Sequence, residues 1–276
     1  MNPTKKLCRQ LESLAPLAIA FSGGVDSLTL ATFCRQNSIE FSAYTFCGAF
    51  LTEFEMDQVS RWARTNQVEH KFIPCNPLEE ERIAANTEKR CYYCKKKLFN
   101  ALREAADPRT SLVDGTNSSD LNKFRPGHRA LLELGINSPL ASAGFDRDSV
   151  EQLAGDMHLE LPGFSRSCLL TRFDYGYPLR ADIIRNLGSV EDYLLRAGIT
   201  GFRIRFFRNG RICMQLDPSE SSSFQKVRSA FDYLMQDMAF YPYQVRLMDF
   251  REITGYFDQD QGGQRNRSDS NCSSLN

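Results

Sequence analysis

Apolar and polar residues follow one another along the first half of the chain in two rhythms. Short apolar runs at Leu17 to Phe21, Phe41 to Cys47, Glu69 to Pro74 and Ser111 to Asp114 read as strands. Between them, apolar positions recur at helical spacing over 28–36, 54–66 and 95–106, and a mixed helix-like segment precedes the first strand. Strand, helix, strand at this spacing predicts crossover connections and a parallel sheet covered on both faces. After residue 164 the rhythm changes. The stretch Ser165 to Tyr177, rich in Arg, Ser, Gly and aromatic residues, reads as a linker lining an active site. Arg180 to Arg196 has a helical pattern, and Phe202 to Phe207 and Arg211 to Leu216 flank Arg208-Asn209-Gly210, an Asn-Gly hairpin signal. Ser219 to Met238 predicts another helix and Tyr243 to Phe250 a last strand. The expected fold is α/β: a parallel-sheet domain over 1–164, a smaller α+β domain over 165–257, and a tail over 258–276 too polar to offset its ordering entropy.

The end of the first strand carries the candidate chemistry. Ser22-Gly23-Gly24-Val25-Asp26-Ser27 stands between an apolar strand and a helix, at the carboxyl end of a parallel sheet, where ligands of such sheets bind. Unpaired amides at a helix N-terminus favour an anion, and glycine lets the backbone approach it closely. The two serines add hydroxyl donors. The Gly-Lys-Ser/Thr ending of a Walker A loop is absent, which argues against a lysine-held γ-phosphate. The hexapeptide resembles the PP-loop of ATP pyrophosphatases, which cleave ATP between the α and β phosphates and pass AMP to a substrate oxygen. That resemblance implies that the loop holds pyrophosphate and that Asp26 helps to place Mg²⁺.

Composition narrows the partners. Lys+Arg and Asp+Glu number 34 each, so no net field favours nucleic acid or a membrane surface. The N-terminal segment has no apolar core of a signal peptide and no apolar run approaches ~18 residues, so a cytoplasmic protein is expected. Nine cysteines in a reducing compartment are poor evidence for disulfides. Cys34, Cys47, Cys75 and Cys213 lie in apolar surroundings and read as packing. Cys91-Tyr92-Tyr93-Cys94 precedes three lysines and a helix, a setting that lowers thiol pKa. A lone CxxC fits zinc, a redox dithiol, an iron–sulfur centre or no metal at all, although the chain has only three histidines and no second CxxC. Cys168, flanked by Arg166 and Arg172, is a third candidate. Three thiolates leave one iron of a [4Fe–4S] cluster open for sulfide, whereas Cys168 alone could attack an adenylated carboxyl carbon and give up its sulfur. A buried structural role for Cys168 is the remaining alternative.

Taken in order, Ser22 to Ser27, Arg90-Cys91-Tyr92-Tyr93-Cys94-Lys95, Asp114-Gly115-Thr116-Asn117, Arg125-Pro126-Gly127, Glu133-Leu134-Gly135 with Ser138-Pro139-Leu140, and Cys168-Leu169 through Tyr175-Gly176 resemble the motif series of the LarE family over roughly residues 10 to 255. Those are ATP-dependent sulfur transferases that mature the nickel-pincer nucleotide cofactor of lactate racemase. The resemblance implies adenylation of a pyridinium carboxylate on a mononucleotide by MgATP, then conversion to a thiocarboxylate. It implies ATP and pyrophosphate contacts from Ser22, Gly23, Gly24, Val25, Asp26, Ser27, Asp114 and Thr116, and catalytic roles for Asp26, Cys168 and Glu191. Substrate phosphate is expected on Thr171, Arg172, Arg203 and Arg205; guanidinium pairs suit phosphate, and alternate residues of a strand share a face. Because Cys91, Cys94 and Cys168 are all present, the resemblance favours the type that holds [4Fe–4S] over the type that converts the Cys168-type residue to dehydroalanine. A sulfur donor and a homo-oligomer are the other partners it implies.

Three stretches depart from the family pattern. Ser118 to Phe124 is less acidic than usual, an Arg and a Glu are missing near 214–216, and Phe164-Ser165-Arg166 replaces small residues before the third cysteine. A paralogue acting on another small substrate fits the same motifs. So does a PP-loop tRNA thiolase, against which the neutral charge and the lack of a basic RNA-binding region argue. An amidating ligase lacks a glutaminase domain here, and a nucleotide-binding or iron–sulfur carrier without catalysis is disfavoured by the intact loop.

Overall fold

A computed structural model describes residues 2–121, 126–161, 166–253 and 256–257. The tail expected over 258–276, and Arg125, Phe164 and Ser165 of the motif series, lie outside the described residues. The chain forms two compact units: one comprises 1–48, 55–79 and 89–165, the other 49–54, 80–88 and 166–276. Two short excursions of the first half, 49–54 and 80–88, therefore belong to the second unit.

The first unit is built on four parallel strands, β1 (Leu17–Ala20), β2 (Phe41–Cys47), β3 (His70–Pro74) and β4 (Ser111–Val113), in the order β3-β2-β1-β4. Leu17, Ala18 and Ile19 are all buried because both faces of β1 are covered, as the spacing predicts. Leu17 and Ile19 join Leu7, Leu11, Leu30, Phe33 and Val150 in one apolar layer; Ala18, Tyr44 and Ile73 meet Phe99, Leu102 and Leu131 in the other. Each fully buried leucine or isoleucine there contributes up to about 1.5–3 kcal/mol. Helices Val25–Gln36 and Glu53–Thr65 lie where periodicity places them. Helix Arg147–Asp156, absent from the sequence reading, starts with a capping box in which Asp146 accepts from the Ser149 amide and Ser149 accepts from the Asp146 amide.

One boundary moves in a way that matters. The helix expected from residue 95 begins at Arg90 and runs to Ala105, so the CxxC forms its first turn instead of preceding it. The Tyr92 and Tyr93 amides already donate to the Lys89 carbonyl, which draws this segment into the helix.

The second unit contains the sheet β5 (Phe202–Phe206), β6 (Ile212–Leu216) and β7 (Gln244–Leu247), with β5 and β6 antiparallel and β6 and β7 parallel. The hairpin turns at Gly210, whose φ of 81° lies in the left-handed region that glycine tolerates. β7 is shorter than the expected strand because the Phe250 amide donates to the Asp217 carboxylate, and Phe250–Ile253 closes into a helical turn. Helix Ala181–Arg196 buries Ile184, Leu187, Val190, Leu194 and Leu195 along one stripe. The stretch expected as a linker is core instead: Leu169–Arg172 forms a short 3₁₀ turn, Leu169 and Leu170 are buried, and Phe173 stacks on Phe206 at 4.8 Å between centroids.

Candidate functional site

In the first unit, the loop after β1 folds on itself through its serines. The Ser22 amide donates to Ser27 Oγ at 3.2 Å, the two hydroxyls lie 3.1 Å apart, Ser27 Oγ donates to the Gly24 carbonyl at 3.1 Å and the Gly24 amide to Ser22 Oγ at 3.3 Å. Gly23 has φ +73°, and a Cβ on it would stand 2.8 Å from Val59 Cγ2, so both conformation and space require glycine. Helix Val25–Gln36 follows with Gly24 as N-cap and no side-chain capping bond, which leaves its first amides to an anion.

The loop after β4 completes this surface. β1 and β4 are adjacent parallel strands, so their carboxyl ends emerge side by side. Asn117 Nδ2 donates to Asp26 Oδ1 at 2.9 Å, joining residues 91 positions apart in sequence. Gly115 lies so close to the helix start that a Cβ would stand 2.9 Å from the Ser27 amide nitrogen. The buried Asp114 carboxylate accepts from Thr116 Oγ1 at 2.6 Å, from the Thr116 amide at 3.2 Å and from Ser138 Oγ at 2.7 Å. Lys95 Nζ stands 3.5 Å from Asp114 Oδ2, tying the CxxC helix to the end of β4. The structure thus brings Ser22 to Ser27, Asp114 and Thr116 together, and adds Asn117, Ser138 and Lys95 to the residues expected there. The Asp-Gly-Thr-Asn run at the end of a strand was the available signal for Asn117.

Cys91 and Cys94 lie three residues apart on one helix, hence on one face of it, and both are half-buried. The buried Arg90 places Nη2 3.4 Å from Cys91 Sγ. Cys168 belongs to the other unit. Within each unit, among the described residues, no three His, Cys, Asp or Glu side chains are grouped to hold a metal ion. Elsewhere, burial pushes the Cys34 thiol up to about 12 and also raises Cys47 and Cys75, which suits neutral packing residues.

In the second unit, Cys168 is exposed at the start of the 3₁₀ turn, and the Thr171 hydroxyl donates to its carbonyl at 2.7 Å. Beneath it lies a buried charge cluster. Arg172 grips Glu191 with both edges of its fork, Nε on Oε1 at 2.7 Å and Nη2 on Oε2 at 3.0 Å, and Arg166 donates to the same Oε2. Arg172 Nη1 reaches Ser167 Oγ at 2.8 Å and Thr171 Oγ1 at 3.2 Å. Arg205 donates to Gln215 Oε1 at 3.0 Å and to the carbonyls of Thr171 and Ile253 at 2.8 and 2.6 Å. The Arg203 guanidinium lies 5.1 Å from the Phe250 ring centroid. Arg203 and Arg205 do share one face of β5, and that face is buried.

Arg172, Arg166 and Arg203 act on one carboxylate here, and the balance shows in their protonation. Burial by itself would raise the Glu191 carboxyl, but Arg172 and Arg166 outweigh it and hold it at about 2. Burial, then the like charges of Arg172 and Arg166, push Arg203 well below the ordinary arginine range. Together these residues form one largely buried charge cluster. A glutamate inside an apolar helical stripe and arginines alternating with apolar residues on a strand were its sequence signals. Arg166 is marked in the sequence by its place beside Cys168, whereas Gln215 carries no comparable signal.

No family model matches the chain. It is 32% identical over 216 residues to an uncharacterised protein of Synechocystis sp., covering 75% of this chain and 78% of that protein. An uncharacterised protein of Methanocaldococcus jannaschii is 28% identical over 198 residues, with 70% and 75% covered. The pyridinium-3,5-bisthiocarboxylic acid mononucleotide synthase of Lactiplantibacillus plantarum is 30% identical over 213 residues, 74% of this chain and 76% of that enzyme. Likeness at that level over three quarters of both chains, together with the motif series, means that the chain belongs to the LarE family.

Proposed function

We propose that the chain is an ATP-dependent sulfur transferase with a PP-loop, acting on a carboxylate of a pyridinium mononucleotide in the formation of a nickel-pincer nucleotide. The observation that carries this reading is the joint surface at the carboxyl ends of β1 and β4, where Asn117 binds Asp26 and Gly115 lies against Ser27. Its amides and hydroxyls suit pyrophosphate, and the Asp26 and Asp114 carboxylates are the hard oxygen donors that Mg²⁺ takes beside phosphates. The substrate carboxylate attacks the α-phosphorus, the bond to the bridging oxygen of the β-phosphate breaks, and pyrophosphate leaves. Arg172, Arg203 and Arg205 of the second unit suit the phosphate of the mononucleotide.

Sulfur then displaces AMP from the acyl carbon. With Cys168 as donor, its thiolate forms a thioester. Removal of its α-proton breaks the Cβ–S bond, leaving a thiocarboxylate on the substrate and dehydroalanine in the protein. A [4Fe–4S] cluster fits the donor chemistry of Cys91 and Cys94, one turn apart on one helix face, with Cys168 as the third thiolate. When bound, such a cluster supplies an open iron that carries sulfide.

The test is purification without oxygen, assay of iron and acid-labile sulfide, and pyrophosphate release from MgATP. Asp26→Asn should lower pyrophosphate release by ~10²-fold or more while iron content is unchanged. About four irons and four sulfides per chain, lost in Cys91→Ala and Cys168→Ala, support the cluster. No iron, with Cys168 becoming lighter by ~34 Da on turnover through loss of H₂S, supports the single-use cysteine. Unchanged pyrophosphate release in Asp26→Asn refutes the assignment of the loop.

A further inference from the structure

The loop that carries Cys168 is held on both sides by one carboxylate. Arg166, two residues before the cysteine, and Arg172, four residues after it, both donate to Glu191 on the helix Ala181–Arg196. Glu191 is fully buried, and the Arg166 side chain is 12% exposed although it stands in an irregular stretch. The buried Phe202 of β5 lies against the Arg166 guanidinium, 5.5 Å from charge centre to ring centroid. An arginine in an irregular segment ordinarily keeps its head in water. This one is drawn inward by a charge-assisted bond and a ring face.

Between the two arginines, shorter links close the turn. The single Thr171 proton goes to the Cys168 carbonyl, so Thr171 Oγ1 accepts from both Ser167 and Arg172. Arg172 also holds Ser167 Oγ, and Arg205 holds the Thr171 carbonyl from below. Arg166 stands where the family pattern has small residues, so no role for it comes with the resemblance.

We infer that Arg166 is a positioning residue that, through Glu191, fastens the Cys168 loop on its N-terminal side and sets where the thiol is presented. The inference deepens the reading of Cys168 as the sulfur-bearing residue and rests on it. Arg166 acts through Glu191 and the loop, and Arg172 fastens the other side. Without Arg166 the N-terminal side of the loop loses its ionic anchor and leans on the Ser167 hydroxyl, and a reacting group displaced by about 1 Å loses ~10²-fold in rate.

The test compares the full chain with Arg166→Met, which keeps an apolar stem against Phe202 but no cation, and with Arg166→Lys, which keeps the charge. Four quantities are read: hydrogen exchange over 167–172, the thermal midpoint, pyrophosphate release, and thiocarboxylate formation. The probe is pyridinium-3,5-biscarboxylic acid mononucleotide, the oxygen counterpart of the compound in the relative's name. In Arg166→Met, exchange over 167–172 should rise about tenfold and thiocarboxylate formation fall about tenfold or more. Pyrophosphate release should stay within about twofold of wild type, and Arg166→Lys should restore most of the loss. Unchanged exchange and sulfur transfer in Arg166→Met overturns the inference, as does protection lost throughout the second unit. A wild type that forms no thiocarboxylate, with 167–172 still loosened in Arg166→Met, defeats the reading of Cys168 and leaves the fastening role standing.

Discussion

Replacing Gly115 by alanine asks whether the loops after β1 and β4 act as one phosphate-holding surface. The added Cβ would stand 2.9 Å from the Ser27 amide nitrogen, 3.1 Å from the Asp26 carbonyl carbon and 3.2 Å from Asp26 Cβ. Ordinary contact begins near 3.4 Å, so the loops must part by about 0.5 Å. Two of the three atoms are backbone, and no rotamer change relieves them. Overpacking of this kind costs about 1–3 kcal/mol. For a chain of this size that lowers the thermal midpoint by roughly 2–12 °C. Catalysis should suffer more, because the same parting stretches the 2.9 Å bond between Asn117 and Asp26 and displaces the amides that face the phosphates. A 1 Å misplacement is worth ~10²-fold, so Gly115→Ala should release pyrophosphate about 10- to 100-fold more slowly. A continuous pyrophosphate assay with MgATP and the probe substrate reads this, with circular dichroism and the thermal midpoint confirming a folded protein. A folded Gly115→Ala variant that turns over at the wild-type rate would mean that the two loops do not act as one surface.

Two predictions concern the second unit. Glu191 is held at about 2 against an ordinary 4.5, so its pairing stabilises the fold above about pH 4.5 and is lost as pH falls towards 2. Denaturant titrations of wild type between pH 5 and 2.5 should lose ~2 kcal/mol through this group. Glu191→Gln should flatten that dependence, and an unchanged slope would show that another carboxylate governs acid unfolding. Asp192, the next residue, accepts the Glu53 and Phe54 amides at 3.1 Å each. Asp192→Ala should cost about 1–2 kcal/mol and speed amide exchange at Glu53 and Phe54; exchange as slow as in wild type would count against the cap.

Features that neighbouring residues dictate are legible in the amino-acid order alone. Buried parallel strands show as apolar runs, the Asn-Gly pair marks the hairpin, and Ser22 to Ser27 marks the glycine loop between strand and helix, because each signal arises within a few residues of backbone. Boundaries set by capping and competing hydrogen bonds were less legible. From the sequence the CxxC stands before a helix, yet it is the first turn of that helix once the Lys89 carbonyl takes two amides. The short β7 likewise reflects an amide captured by Asp217, 33 residues away in sequence. The arginines show the limit most clearly. Arg166, Arg172, Arg203 and Arg205 look alike in sequence, but Arg172 and Arg166 hold Glu191, Arg205 holds backbone carbonyls and Gln215, and Arg203 lies against Phe250. Those roles come from packing, because a buried guanidinium takes its partners from whatever groups are brought within reach, and that depends on contacts between segments far apart in the chain.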